Sequence, residues 1–460
     1  MMSLSQAASV LQARLKNRDA GFTGVSTDTR TLARGDLFVA LRGERFDGHA
    51  FLEEARAAGA AAVMVDTDAV DTTLPAIVVE DTRRALGQLG AHWRGRFSLP
   101  LVGLTGSSGK TTVKEMLAGI LREASAPSGT PDAAPQTVLA TRGNLNNDIG
   151  MPLMLLELND THRYAVLEMG MNHAGEIAYL AKLAAPEVAV ITNAGRAHIE
   201  FLGSEEAIAS AKGEIFEGLK RDGTAVINAD DRYAETWRTL AGARRRVEFG
   251  LEQPAAVTAT YLSHAHTSEI VLKTPAGEMP ATLRAPGVHN VRNALAAAAA
   301  AIALDIPVEA IAAGLERYAG IKGRLQIKRG LNGATLIDDT YNANPESMRA
   351  AIAVLAQSEG PALLVLGDMG ELGAQAMQLH AELGAQAKEA GVTRLLALGE
   401  HSAGTALAFG AGATHYSNVD DLIAEAKREL ASGVTVLVKG SRFMRMERVV
   451  AALEERSTCF

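Results

Sequence analysis

The stretch LPLVGLTGSSGKTTVKEML, residues 99–117, decides the fold. Its apolar first part, Leu99 to Leu104, reads as a buried strand, and helical spacing resumes at Val113, Met116, Leu117, Ile120 and Leu121. Between them Thr105-Gly106-Ser107-Ser108-Gly109-Lys110-Thr111-Thr112 completes a strand, a glycine loop and a helix. Gly106 and Gly109 let the backbone approach a ligand closely, so successive N–H groups and the helix N-terminus converge on phosphate. Lys110 then supplies charge to the outer phosphates, and the Thr111 hydroxyl is placed for Mg²⁺. The strict G-x-x-x-x-G-K-[ST] spacing is off by one place, because Leu104 stands where the first glycine belongs and Gly103 precedes it. The G-x-x-G-K-T-T core is intact, and the pattern points to ATP or GTP rather than to a plain glycine turn before a core helix.

Working outward, 460 residues exceed one ordinary core and imply two to four domains. The hydrophobic content of 47% and charged content of 21% are those of a globular protein. A net charge of -8 with no run of Lys or Arg argues against nucleic acid or an anionic membrane surface as partner. The single cysteine, Cys459, allows no internal disulfide, which suits a reducing compartment. The opening MMSLSQAASVLQARLKNRD has no signal-peptide core, and the longest apolar run, Ala294 to Leu304, is shorter than the roughly 20 residues of a membrane helix. The expectation is a cytoplasmic protein with no membrane insertion.

Residues 1–98 read as a small α/β unit with strands at 37–41, 61–65 and 75–79 and helices at 50–58 and 82–93. Its polar loops STDTR (26–30) and RGERFDGHAF (42–51) suit solvated turns as well as a binding surface. After the glycine-loop helix, the Ala/Pro/Ser-rich run 124–135 reads as a surface loop or insertion. TRGNLNNDIGMP (141–152) groups Asn144, Asn146 and Asn147 at a turn. Three strands follow, ending at Glu168, at TNAGRAH with His198, and at NADD. Ligands of open parallel sheets bind off such carboxyl ends, where Glu168 is either a Mg²⁺ ligand or a surface charge. One helix is expected within 196–216, carrying Lys212 among apolar residues. That lysine either snorkels or, as a desolvated neutral amine, takes up CO2 as a carbamate able to ligate Mg²⁺. Residues 245–285 read as short antiparallel strands, and 286–305 as a turn and an Ala-rich helix with Asn290 and Asn293 at its start, either as caps or as purine ligands. Beyond IKGRLQ (321–326), strands at 335–339, 362–368, 394–399 and 434–440 alternate with helices as a doubly wound unit. The fold class is therefore α/β with three domains, 1–98, 99–319 and 320–460. The middle one is a P-loop-type ATPase on a mostly parallel sheet and the last is Rossmann-like, with substrate in the cleft between them.

The motifs GLTGSSGKTT, GNLNNDIGMP, LEMGMNHAGEI, NAGRAHIEFLGS, AKGEIF, GVHNVRNALAA, IKGRLQ, DDTYNANPESM, LGDMGELG and VKGSRFMRME resemble, nearly end to end, those of the Mur ligases. The run DDTYNANPE points to the branch that joins a dipeptide, since the branch that adds the third amino acid usually carries Asp-Tyr-Ala-His-Thr-Pro-Asp there. The resemblance implies an ATP-dependent ligase whose substrates are UDP-N-acetylmuramoyl tripeptide and D-alanyl-D-alanine, and the chain is expected to act as a monomer. By the same resemblance the tripeptide carboxylate attacks the ATP γ-phosphate, and the amine then attacks the acyl phosphate. It implies Lys110 and Arg324 at the γ-phosphate, with ATP held by Gly106, Ser107, Ser108, Gly109, Lys110, Thr111 and Thr112. Asn290 and Asn293 would meet adenine, and Asp339 the ribose. Thr111 and Glu168 would bind one Mg²⁺; His198, Glu168 and a carbamate on Lys212 would bind a second. Ser26, Asp28, Arg30, Arg45, Phe46 and Asp47 match the family's nucleotide-sugar site, Asn144 and Asn147 its peptide-arm contacts, and Tyr341, Asn342 and Asn344 its dipeptide contacts. The rivals are a superfamily ligase with another amino-acid substrate, or folate, and a P-loop switch that hydrolyses nucleotide without either co-substrate.

Overall fold

The computed structural model describes residues 1–44, 46–67, 72–126, 136–197, 199–264 and 266–455. Arg45, His198, Cys459 and most of the Ala/Pro-rich run lie outside them. Three open sheets carry the chain. The first runs, in spatial order, Arg14–Lys16, Ala76–Val78, Ala62–Val65, Asp36–Val39 and Gly24–Ser26, with only the first of these antiparallel. The second is entirely parallel in the order Arg245–Phe249, Thr224–Asn228, Val188–Ile191, Leu101–Thr105, Tyr164–Glu168 and Val138–Ala140. The third has Gln326–Arg329 antiparallel on its edge, followed by parallel Thr335–Asp339, Thr435–Lys439, Ala362–Gly367, Arg394–Leu398 and Ala413–Tyr416. This is a three-domain α/β fold.

The middle sheet reverses its order at Leu101–Thr105, so the glycine loop leaves from a switch point. Neighbouring strand ends then place Glu168 on one side of the loop and Thr192 to Gly195 on the other. The helix Lys110–Ser125 forms where the spacing demands it. Val113, Met116, Leu117, Ile120 and Leu121 are all fully buried, each such side chain contributing about 1.5–3 kcal/mol.

Two expectations need correction. Arg245–Phe249 is the parallel edge of the middle sheet, and only Thr258–Ser263, Ser268–Thr274 and Gly277–Leu283 form the antiparallel sheet. RRVEF, with one face buried and the other wet, alternates like any antiparallel strand, so its pattern could not reveal the direction. The helix expected within 196–216 is divided into Ile199–Leu202, Glu205–Gly213 and Ile215–Gly218, because Gly203 turns left-handed at φ 80° and Ser204 caps a fresh start. Val138–Ala140 and Ala413–Tyr416 add short edge strands whose apolar runs are too brief to stand out.

Each sheet has its own apolar cores. The first shares Leu156, and partly buried Ile149 and Leu153, with the second. The buried clusters of the third begin at Leu325 and take in nothing from residues before it.

Helix Val308–Glu316 lies so close to the glycine-loop helix that a Cβ on Gly314 would stand 2.4 Å from Ile120 Cα. Gly314→Ala should therefore destabilise the protein by about 1–3 kcal/mol through overpacking. An unchanged urea midpoint would contradict that packing.

Candidate active site

The glycine loop is braced from the adjacent strand end. Asn193 accepts from Ser107 N–H at 3.0 Å through its carbonyl and from Ser108 N–H at 2.9 Å through its side chain, while Thr192 Oγ1 donates to Ser108 O at 2.7 Å. Gly109 is left-handed at φ 81°, and a Cβ there would lie 2.2 Å from Asn293 Oδ1. Only glycine fits, which is why the backbone rather than side chains faces the space above. Lys110 Nζ donates to Gly106 O at 2.6 Å, curling over its own loop. Burial pulls the Lys110 ammonium below its ordinary pKa, against the attraction of Glu168.

One turn further in, the Thr111 hydroxyl stands 3.1 Å from Glu168 Oε2 and accepts from Arg324 Nη2 at 3.0 Å. Glu168 Oε1 accepts from Asn146 Nδ2 at 3.0 Å, and Glu168 N–H donates to Thr141 Oγ1 at 2.9 Å. The Arg324 guanidinium also stacks on Tyr341, 4.3 Å from the ring centroid. A hydroxyl and a buried carboxylate are hard oxygen donors suited to Mg²⁺. Among the described residues no three His, Cys, Asp or Glu side chains gather as a metal site. Lys212 is 1% exposed, and burial followed by the charge of Lys110 drives its pKa well below that of a free lysine. That favours the neutral amine.

Asn290 and Asn293 open the helix Val288–Ala303, with Asn293 Nδ2 donating to Asn290 Oδ1 at 3.2 Å and Asn290 Nδ2 to Pro286 O at 2.8 Å. From the third sheet, adjacent strands pair Asp339 with Lys439, whose Nζ donates to Oδ2 at 2.6 Å. Burial pushes the Asp339 carboxyl up against that pull. Asn344 caps the helix Pro345–Leu355 by accepting from Ser347 N–H, and its Nδ2 reaches Ser108 Oγ at 3.2 Å. Asn342 caps locally, accepting from Ala343 N–H.

A cavity of about 850 Å³ joins these parts. Lining it are Ser107, Ser108, Gly109, Lys110, Thr112, Glu168, Asn144, Asn147, Asn290, Asn293, Arg324, Asp339, Tyr341, Asn342 and Asn344. Ser26, Asp28, Arg30, Phe46 and Asp47 do not line it. Arg30 instead chelates Asp28 at 2.9 and 2.6 Å, holding that carboxyl at a pKa of about 2, and Ser26 Oγ donates to Asp28 O. Asp47 is engaged by Arg42 and His49, and Phe46 is 57% exposed. Sequence reasoning missed Arg83, Asn193, Arg284, His289 and Arg292, all of which line the cavity. Asn193 follows a strand end and carried a positional signal. Arg83 had none, since its helix belongs to the first sheet and reaches the cavity only by pairing with Asp148 at 2.7 Å.

Comparison with known proteins follows the same three parts. Residues 21–94 match the profile of the Mur ligase family catalytic domain, 104–301 the Mur ligase middle domain, and 323–442 the Mur ligase glutamate ligase domain. UDP-N-acetylmuramoyl-tripeptide--D-alanyl-D-alanine ligase of Escherichia coli (strain K12) is 43% identical over 100% of this chain and 99% of its own. The protein of that name in Bacillus subtilis (strain 168) is 37% identical over 94% of this chain and 93% of its own. A crystal structure of MurF from Acinetobacter baumannii superposes with a TM-score of 0.90 at 37% identity, covering 99% of both chains. MurF ligase from Thermotoga maritima in complex with ADP gives 0.82 at 28% identity, covering 93% of this chain and 96% of that one. The chain belongs to the Mur ligase family.

Proposed function

We propose that this protein joins D-alanyl-D-alanine to UDP-N-acetylmuramoyl tripeptide at the expense of ATP, yielding the UDP-muramoyl pentapeptide used in peptidoglycan synthesis. The observation that carries the reading is the convergence on one cavity of Lys110 and Glu168 from the second sheet with Arg324 from the start of the third, the last two joined through the Thr111 hydroxyl. It occurs in a chain matching, end to end, relatives named for that reaction.

The chemistry follows from the charges. The terminal carboxylate of the tripeptide attacks the γ-phosphorus, an O–P bond forming as the bond to ADP breaks, and Lys110 and Arg324 offset the negative charge in flight. The dipeptide amine then adds to the acyl carbon, phosphate leaves and the amide remains. Thr111 and Glu168 would hold a Mg²⁺, which would further neutralise the phosphates. Glu168, His198 and a carbamate on Lys212 would hold a second Mg²⁺. The neutral Lys212 amine forms its C–N bond to CO2 and releases a proton, and its burial supports that step. Asn290 and Asn293 are assigned to adenine and Asp339 to ribose, so ATP itself ties the 99–319 and 320–460 domains together. Asn144 and Asn147 are assigned to the peptide arm, and Tyr341, Asn342 and Asn344 to the incoming dipeptide. Ser26, Asp28, Arg30, Arg45, Phe46 and Asp47 are assigned to the far, uridine end of the substrate in the 1–98 domain; of these, the described residues Ser26, Asp28, Arg30, Phe46 and Asp47 lie outside the cavity. Among the described residues no helix is long and apolar enough to cross a membrane, and we assign the protein to the cytoplasm as a monomer.

ADP release should require both UDP-N-acetylmuramoyl tripeptide and D-alanyl-D-alanine, with mass analysis showing the pentapeptide. Nucleotide turnover without either co-substrate would favour a switch and remove the ligase reading. Lys110→Ala should lower turnover by at least about 100-fold with an unaltered circular dichroism spectrum. Activity near wild type would dismiss its phosphate role. Lys212→Ala should be inactive and regain turnover with added formate or acetate, which replaces the carbamate oxygens; no recovery at any carboxylate concentration counts against the carbamate.

A further inference from the structure

The helix Pro345–Leu355 turns Glu346, Ser347 and Ala350 toward the cavity, and its cap, Asn344, already touches Ser108 of the glycine loop. Positions three and four apart share one face of a helix, so a single side is presented to the site. Glu346 lies against the segment that braces the glycine turn. Its Oε2 accepts from Arg196 N–H at 3.3 Å, and a Cβ on Gly195 would stand 2.9 Å from its carboxyl carbon. Gly195 N–H in turn donates to Ser107 Oγ at 2.9 Å, so one residue separates the carboxylate from the glycine loop. Among the described residues five carboxylates line the cavity: Asp148, Glu168, Glu176, Asp339 and Glu346. Four of them have close partners. Arg83 Nη2 donates to Asp148 at 2.7 Å, Lys439 Nζ to Asp339 at 2.6 Å and Asn172 N–H to Glu176 at 2.7 Å, while Glu168 is held by Thr111 and Asn146. Around Glu346 the contacts are longer: besides the 3.3 Å bond, Arg349 Nη1 stands 3.7 Å from Oε1. The Arg196 guanidinium is turned to Glu205, to which its Nε donates at 2.9 Å.

We propose that Glu346 is a specificity-determining residue for the incoming dipeptide, its carboxylate receiving the dipeptide's ammonium group. That role rests on the ligase reading. A dipeptide amine is largely cationic near neutral pH, since an ordinary α-amino group titrates at about 8. The same cavity carries Lys110 and Arg324, gathered for the phosphates, and both repel a further cation. A nucleophile that arrives as an ammonium therefore needs an anion with capacity to spare. Glu168 and Asp339 are buried behind their own partners. Glu346 follows Tyr341, Asn342 and Asn344 in the chain and lines the same cavity as these three residues assigned to the dipeptide. Its long bonds let an ammonium take Oε1 while Arg196 N–H keeps Oε2. A nucleophile with a hydroxyl in place of the amine brings no charge to this carboxylate, so the site selects for an amine.

Pentapeptide formation by the wild type, followed by mass, tests the reaction; variants test the role of Glu346. Glu346→Gln keeps the shape of the side chain and an acceptor for Arg196 N–H while removing the charge. It should raise KM for D-alanyl-D-alanine about tenfold, with KM for ATP and for UDP-N-acetylmuramoyl tripeptide within about twofold of the wild type. Glu346→Asp keeps the charge on a shorter arm and should raise the dipeptide KM by no more than about threefold. An unchanged dipeptide KM in the glutamine variant overturns the proposal. So does a rise shared by all three substrates, which marks a contact that only closes the domains, and so does an aspartate variant as impaired as the glutamine one. A wild type that makes no pentapeptide overturns the reaction itself, and the role of Glu346 with it.

Discussion

A single hydroxyl stands where the molecule's two large sheets meet. Thr111 is shared between a buried carboxylate from its own sheet and a half-buried guanidinium from the other. A buried charge without a partner is costly, so Glu168 and Arg324 each stabilise the position of the other through an atom that belongs to the glycine-loop helix. The geometry of that helix start is in turn imposed by Gly109, where any side chain would collide with Asn293. The rest of the site inherits its positions from these contacts.

Much of this was legible in the chain. The spacing of Val113, Met116, Leu117, Ile120 and Leu121 specified the helix, and GSSGKTT specified what it faces, because close backbone approach and helical periodicity are both local properties. Strand-end positions similarly brought Glu168, Asp339 and Lys439 to one side of their sheets, since parallel strands share a direction. What could not be read were relations between distant segments. The direction of Arg245–Phe249 depends on its partner rather than on its own alternation. The helix expected around Lys212 was interrupted by Gly203, whose left-handed turn cost the reading its continuity. Arg83 reaches the cavity through an ion pair with a residue 65 positions away. Sequence likeness, not physics, nominated the loops around Asp28 and Asp47, which the fold sets apart from the cavity.

Several polar residues do two jobs. Asn344 caps a helix and also touches Ser108; Asn193 holds two successive loop residues through different atoms. Such pairing of local and long-range bonds makes the position of the glycine loop depend on groups that sequence-level reasoning would treat as simple caps.

The apolar clusters of the third sheet take in no residue before Leu325, whereas the bonds crossing to the second sheet are those of Arg324, Asn344, Glu346 and Glu371. Parting these two bodies wets polar groups and uncovers little oily surface, so the heat-capacity increment of opening is small. The enthalpy of opening then stays nearly constant with temperature, so the logarithm of the opening equilibrium constant runs almost straight against inverse temperature.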